Sequence, residues 1–345
     1  MNIALLSKYR TQLMGLAMLW VMLYHFATYG SNNTPAPFRQ FVSLGFGGVD
    51  IFIFVSGIGM YSSLLKDSAV RSFFKKRFSR IMPNYYMVII LVTLFSLFGL
   101  GIKFDWNIII NELLIFPYWF TGIAFNWYIP AILTFYLISP LYFKVFMNVK
   151  SKGLLTLGAS IVVLGLSVLI YGLNAANVIN LDIQVALTRI PIFFIGFYFA
   201  HLMKNAVQIK LNVWLVAIIT AIVIIAELLI LKKLNPNFLR ASGLYWYLFI
   251  IITPLLSLLI TTTLNWLAPH GKWLLSTLTW LGANSLDIYL IHIALNDFVY
   301  VKFSEKLVHT PAILWSFNLV WLLGSLVIAA IFAKLMKIIT AKIFN

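Results

Sequence analysis

The sequence predicts an all-α fold, a polytopic transmembrane bundle of about ten helical spans with both termini in the cytoplasm. Three observations predict it. The 345 residues are 62% hydrophobic and only 10% charged, with mean hydropathy +0.97, whereas soluble chains carry about one quarter charged residues. Long apolar runs such as 88–99, 154–171 and 211–231 recur along the whole chain. Lys and Arg collect in alternate connections between those runs. Lipid offers no partner to an open backbone, so a spanning segment is a helix or part of a closed barrel. The runs here are continuous rather than alternating, which selects helices.

Several runs approach the roughly 20 residues that cross a bilayer as helix. Hydropathy and length place spans near 12–30, 45–65, 83–101, 127–147, 154–173, 184–203, 211–231, 245–265, 278–300 and 311–335. The apolar stretch 104–120 is interrupted by Asp105, Glu112 and Pro117, so it reads as an interfacial or re-entrant segment. No hydrophilic linker divides residues 1–345 and no repeat of 20–50 residues is evident, so the chain reads as one integral membrane domain.

Orientation follows from the basic residues. With the N-terminus inside, Lys8, Arg10, Lys66, Arg71, Lys75, Lys76, Arg77, Arg80, Lys144, Lys150, Lys152, Lys204, Lys210, Lys272, Lys334, Lys337 and Lys342 are cytoplasmic. Only Arg39, Lys103, Lys232, Lys233, Arg240, Lys302 and Lys306 fall outside. The inner set is more than twice the outer, as the positive-inside rule requires. The net charge of +16 is thus a topology signal, and nucleic acid is not an expected partner. Cysteine is absent, which excludes disulfides, thiolate metal sites and cysteine nucleophiles. No metal is expected. The first span is followed by others and is expected to be retained, unlike a cleaved signal.

Polar groups inside spans cost energy and point to function by default. His25 lies late in the outward-going first span, and Asp50 a similar distance into the returning second. Arg189 follows the outer start of the sixth span, and Asn126, Trp127 and Tyr128 open the fourth. Asn284, Asp287 and His292 occupy the ninth. At 1.5 Å per residue these groups share the outer third of the membrane. A neutral imidazole at His25 can take a proton from a hydroxyl, and Asp50 can orient it. Arg189 can bind an anionic group, and Trp127 and Tyr128 offer an aromatic platform. The bland account stays open beside this one. Asp50 can simply pair with Arg189 or a histidine, Asp287 and His292 can cross-link helices, and Trp127 and Tyr128 can form an interfacial belt. On the cytoplasmic side, Lys75, Lys76, Arg77 and Arg80 form a basic cluster. Arg77 and Arg80, three apart on a helix, share a face suited to a pyrophosphate such as that of coenzyme A. A lipid-facing topology signal is the alternative.

Five separated motifs resemble, in the family's order, the membrane acyltransferase family 3. They are 15–25 (GLAMLWVMLYH), 47–57 (GGVDIFIFVSG), 76–83 (KRFSRIMP), Trp127-Tyr128 with 135–140 (FYLISP), and 281–292 (LGANSLDIYLIH). The resemblance implies transfer of an acyl group, most often acetyl, from cytoplasmic acyl-CoA to a carbohydrate hydroxyl. It implies His25 as the catalytic residue and Arg77 and Arg80 as donor-binding. Acetyl-CoA is a co-substrate, and no bound cofactor is expected. Many members carry an arginine eleven positions before the histidine. Met14 stands there, and Arg10, one turn earlier, is expected to serve instead. Some relatives append an extracellular esterase-like domain. The chain stops at Asn345, so transfer direct to a glycan or through a partner protein is expected.

The scheme expected from all this sets Arg77, Arg80, Lys76 and Arg10 at the donor, and His25 with Asp50 at the chemistry. Asn126, Trp127, Tyr128, Arg189 and His292 meet the acceptor, an exopolysaccharide being one candidate. His25 is a general base or an acyl relay. The alternative is a transporter or flippase for a lipid-linked or small substrate, although neither internal repeats nor paired broken helices are evident.

Overall fold

A computed structural model of the chain describes residues 1–29, 36–67, 69–99, 106–122, 126–207, 211–296 and 311–344. Lys103, Asp105, Lys210, Lys302 and Lys306, used above for topology or segment limits, lie outside the described residues. Among the described residues the regular structure is helical and no strand occurs.

In chain order the helices are α1 (Leu5–Lys8), α2 (Arg10–Tyr29), α3 (Ala36–Ser43), α4 (Gly47–Lys66) and α5 (Val70–Leu94), which runs on as a π turn over Phe95–Gly99. Then follow α6 (Trp106–Leu114), α7 (Tyr118–Thr121), α8 (Tyr128–Asn148), α9 (Lys152–Ala175), α10 (Gln184–Leu187), α11 (Ile190–Lys204) and α12 (Val213–Lys233). The chain ends with α13 (Pro236–Ser242), α14 (Leu244–Tyr247), α15 (Phe249–Leu267), α16 (Lys272–Ala283), α17 (Ser285–Leu295) and α18 (Pro311–Phe344). Several starts carry side-chain caps, which satisfy backbone donors that no helical carbonyl can reach. Asn212 Oδ1 accepts from Trp214 N at 2.8 Å, and Asn235 Oδ1 from Asn237 N at 2.8 Å.

Among the described residues, eight stretches are long and apolar enough to cross a bilayer: Gly47–Lys66, Val70–Gly99, Tyr128–Asn148, Lys152–Ala175, Gln184–Lys204, Val213–Lys233, Leu244–Leu267 and Ser316–Lys342. A ninth is the pair α16 and α17, long and apolar enough when taken together but bent by 69° at the break between them. The expected straight span at 278–300 is therefore a broken one, its residues 297–300 lying outside the described set. The expected first span is α2, 20 residues long, diluted by Arg10 and Gln12 at one end and by Tyr24 and His25 near the other. The described part of the segment at 104–120 holds the short α6 and α7, with Ile115 between them at φ 66°. Nine residues of α6 rise about 14 Å, too little to cross about 30 Å of hydrocarbon.

The helices group into two compact units. The first comprises 1–13, 50–75 and 114–271. Here α4 is largely buried, whereas α9 and α12 are mostly exposed. Two glycines let α4 and α11 touch backbone to backbone: a Cβ on Gly57 would strike the Phe193 carbonyl, and one on Gly196 the Phe54 carbonyl. Helix α12 packs on α15, and α9 on α11. The apolar outward faces of α9 and α12, with Leu154, Ile161, Val162, Trp214, Ile218 and Ile222 exposed, are what a lipid-facing helix presents.

The second unit comprises 14–49, 76–113 and 272–345. Helix α17 packs along α18. Gly15 of α2 lies against the Leu278 carbonyl of α16, and Gly48 against the Ala17 carbonyl. These motif glycines are thus close-approach positions, where a side chain would push two helices apart.

Candidate functional site

The second unit carries a histidine pair. His25, near the end of α2, has its ring 5.2 Å from that of His292 in α17, centroid to centroid, at an interplanar angle of 32°. Tyr24 flanks His25 at 5.3 Å. His292 is 2% exposed. Both Nδ1 atoms are buried with no hydrogen-bond partner among the described residues. His292 Nε2 is 3.0 Å from the side-chain nitrogen of Asn296, whose Oδ1 accepts from Trp321 Nε1 at 2.9 Å. Sequence reasoning joined His25 with His292 through their depth. It missed Asn296 and Trp321, although Asn296, four residues after His292, sits one turn along the same segment.

The same unit holds a second cluster around Asp287. Asn84 of α5 donates to its carboxylate, and the charges of Arg80 and Lys337 act on it. Asp287 thus cross-links α17 to α5, the alternative account considered in the sequence reading, and keeps company with the basic residues rather than with the histidine pair. Lys76, Arg77 and Arg80 lie together on α5, Arg77 half-buried and the other two exposed. Pro83 and Asn84 continue the same helix.

The first unit centres on Arg189, which precedes α11 and is 1% exposed. Its Nε lies 2.9 Å from Asp50 Oδ1, and its Nη2 donates to Asp50 Oδ2 at 3.4 Å. Nη1 donates to the Val185 carbonyl. Two indoles face the guanidinium, Trp127 at 4.9 Å and Trp246 at 5.2 Å. A cation between aromatic faces is stabilised by their quadrupoles, about 0.5–2 kcal/mol each according to desolvation. Asp50 is fully buried, so the ion pair considered in the sequence reading is present. Asn126 is buried, and its Oδ1 accepts from the Tyr128 backbone N–H at 3.1 Å. Trp127 and Tyr128 stand ring edge to face at 6.2 Å. Arg10 belongs to this unit, with its guanidinium laid over Gly59 of α4, where a Cβ would come within 2.7 Å of Nη2. Glu227 on α12 is fully buried, and neither carboxylate oxygen has a hydrogen-bond partner among the described residues. Sequence reasoning passed over it and over Trp246, because a lone acid and a lone indole in apolar runs carry no spacing signal.

Each cluster supports a separate piece of chemistry. A half-buried imidazole beside a buried one can move a proton or carry an acyl group. A buried guanidinium held by a carboxylate can fix an anionic or hydroxyl-rich ligand. Among the described residues no group of three or more His, Cys, Asp or Glu could hold a metal ion.

Comparison with curated proteins and with solved structures found no match. A family model described as an acyltransferase domain matches residues 12–335. That interval contains all five motifs, the histidine pair, the Asp50–Arg189 pair and the basic cluster of α5. The chain, a multi-pass helical membrane protein, therefore belongs to membrane acyltransferase family 3.

Proposed function

We propose that this acyltransferase moves an acyl group, acetyl in the first instance, from cytoplasmic acyl-CoA to a hydroxyl of a cell-surface or extracytoplasmic carbohydrate. It does so in the plasma membrane, with both termini cytoplasmic and no bound cofactor. The observation that carries this reading is His25, a ring with an unpartnered buried nitrogen in a chain of an acyltransferase family.

In the reaction, neutral His25 takes the proton of the acceptor hydroxyl. The oxygen adds to the thioester carbonyl carbon, the C–S bond breaks, and the proton passes from His25 to the coenzyme A sulfur. In the relay version the bare nitrogen of His25 itself takes the acyl group as the thiolate leaves, the acceptor oxygen then displaces neutral imidazole from the acyl carbon, and the hydroxyl proton ends on the thiolate. Arg77, Arg80, Lys76 and Arg10 hold the donor's phosphates. Asp50 supplies the carboxylate that steadies the charged imidazole. Asn126, Trp127, Tyr128, Arg189 and His292 serve the acceptor, the aromatic rings against apolar sugar faces and the polar groups on hydroxyls.

The test is turnover of radiolabelled acetyl-CoA by purified protein in nanodiscs, wild type beside His25→Ala. General base catalysis contributes about 10²–10⁴-fold, so the variant should lose at least that much while eluting as a folded monodisperse species. Retained turnover in His25→Ala removes His25 from the chemistry.

A further inference from the structure

The surroundings of His292 decide which of its two ring nitrogens carries the proton. The partners start at Trp321 on α18. An indole N–H donates and cannot accept, and Trp321 Nε1 lies 2.9 Å from Asn296 Oδ1. That bond fixes the orientation of the Asn296 amide, because turning it over would set two donors face to face. The amide nitrogen therefore points to His292 Nε2, 3.0 Å away, and an amide nitrogen only donates. Nε2 must accept, so the neutral ring carries its proton on Nδ1. A second proton on Nε2 would again oppose donor to donor. Nδ1 is buried and has no hydrogen-bond partner among the described residues. It is the one ring nitrogen left open, and it is an N–H.

We infer that His292 acts as a neutral hydrogen-bond donor to the oxyanion of the transfer reaction, and that Asn296 and Trp321 are positioning residues that lock it in the Nδ1–H form. The inference rests on the reading of His25 given above. A ring whose open atom is already protonated cannot take a proton from a hydroxyl, but it can stabilise developing negative charge. As the acceptor oxygen adds to the thioester carbon, the carbonyl electron pair moves onto its oxygen, and His292 Nδ1–H donates to that oxygen. When the pair returns, the C–S bond breaks and the proton held by His25 goes to sulfur. The His292 proton never leaves its nitrogen. The two adjacent histidines thus divide the chemistry, one moving a proton and the other staying neutral.

The test is nitrogen NMR of the full chain in nanodiscs with ¹⁵N-labelled histidine, since ring ¹⁵N shifts separate protonated from bare nitrogens. The sequence has five histidines, and the His292 signals are those lost in His292→Gln. In the wild type Nδ1 should be protonated and Nε2 bare. Asn296→Asp offers Nε2 an acceptor and should move the proton there. Trp321→Phe frees the amide and should give both tautomers, and it serves in place of Asn296→Asp if the latter does not fold. A wild-type ring protonated at Nε2 overturns the lock, whatever the activity. In the transfer assay, loss of one oxyanion donor costs about 10²–10³-fold in kcat. Asn296→Asp should show that loss with the acetyl-CoA KM within about threefold and the shape of the pH profile kept. A switched tautomer with full kcat overturns the donor role. Wild-type protein inactive with every acyl-CoA would strike the acyl-transfer reading instead, and the NMR result would still decide the tautomer.

Discussion

The Asp50–Arg189 pair admits two accounts, structural and functional, and a double-substitution cycle separates them. Both residues are at most 1% exposed, and Arg189 Nε lies 2.9 Å from Asp50 Oδ1. Removing one partner of such a buried pair costs about 3–5 kcal/mol, because the other charge is left uncompensated. Asp50→Leu should fall at the lower end, since the Val185 carbonyl and the faces of Trp127 and Trp246 still hold the guanidinium. Replacing both partners by apolar residues is often neutral, so Asp50→Leu with Arg189→Met should recover most of the loss. With unfolding entropy near 2.1 cal/mol/K per residue, 345 residues give about 0.7 kcal/mol per degree. Each single variant should therefore melt about 4–7 °C below the wild type, and the double variant within about 2 °C of it. Thermal unfolding in detergent, read by tryptophan fluorescence, measures all four proteins. Additive losses in the double variant would refute the coupled buried pair. Acetyl transfer by the double variant then decides function: the proposed catalytic and acceptor roles require a stable but inactive protein. Full activity would leave the pair a structural one.

Two further predictions concern the donor site and helix packing. Arg77→Ala and Arg80→Ala should each raise the KM for acetyl-CoA about 10–100-fold, since a hydrogen bond to a charged group is worth about 1.5–3 kcal/mol. Steady-state kinetics with kcat lowered and KM unmoved would dissociate them from donor binding. Gly57→Val and Gly196→Val drive a side chain into facing carbonyls of α11 and α4 and should each cost about 1–3 kcal/mol. Gly158→Ala and Gly165→Ala, with nothing within 4 Å of the added carbon, should gain up to about 1 kcal/mol from helix propensity. Equal melting temperatures across the four would refute the close α4–α11 approach.

Most of the helical layout was legible because a bilayer imposes one rule on every spanning segment, roughly 20 apolar residues in a row. Helices α8, α9, α12 and α15 each begin or end within a few residues of the hydropathy limits. Hydropathy failed where polarity and helicity part company. Helix α5 begins at Val70 rather than near 83, because Lys75, Lys76, Arg77 and Arg80 look like loop to a hydropathy window yet are good helix formers. Pro83, the first residue of the expected span, lies inside α5, where its ring removes one backbone donor and crowds the carbonyl four residues back. The break at Asn284 was missed although its signal was present. Asn and Ser favour local hydrogen bonds over helix interiors, and Asn284 Nδ2 donates to the Trp280 carbonyl at 2.8 Å beside the bend.

The site was less legible because depth along a span is one coordinate and the angle around the helix is another. Asp287 and His292 are five residues apart, about 7.5 Å along an ideal helix and about 140° around it. Depth groups them, whereas azimuth sends them to different neighbours. Asp287 meets Asn84 and the charges of Arg80 and Lys337, while His292 meets His25, Asn296 and, through Asn296, Trp321. Asn84 and Arg80 lie one turn apart on α5 and so present one face to Asp287. A single short helix therefore ties the basic segment of α5 to the histidine pair without merging them. That separation suits a reaction whose donor phosphates need cations while its proton transfer needs a neutral imidazole, since a lysine or arginine beside His25 would oppose the imidazolium that the proposed transfer creates.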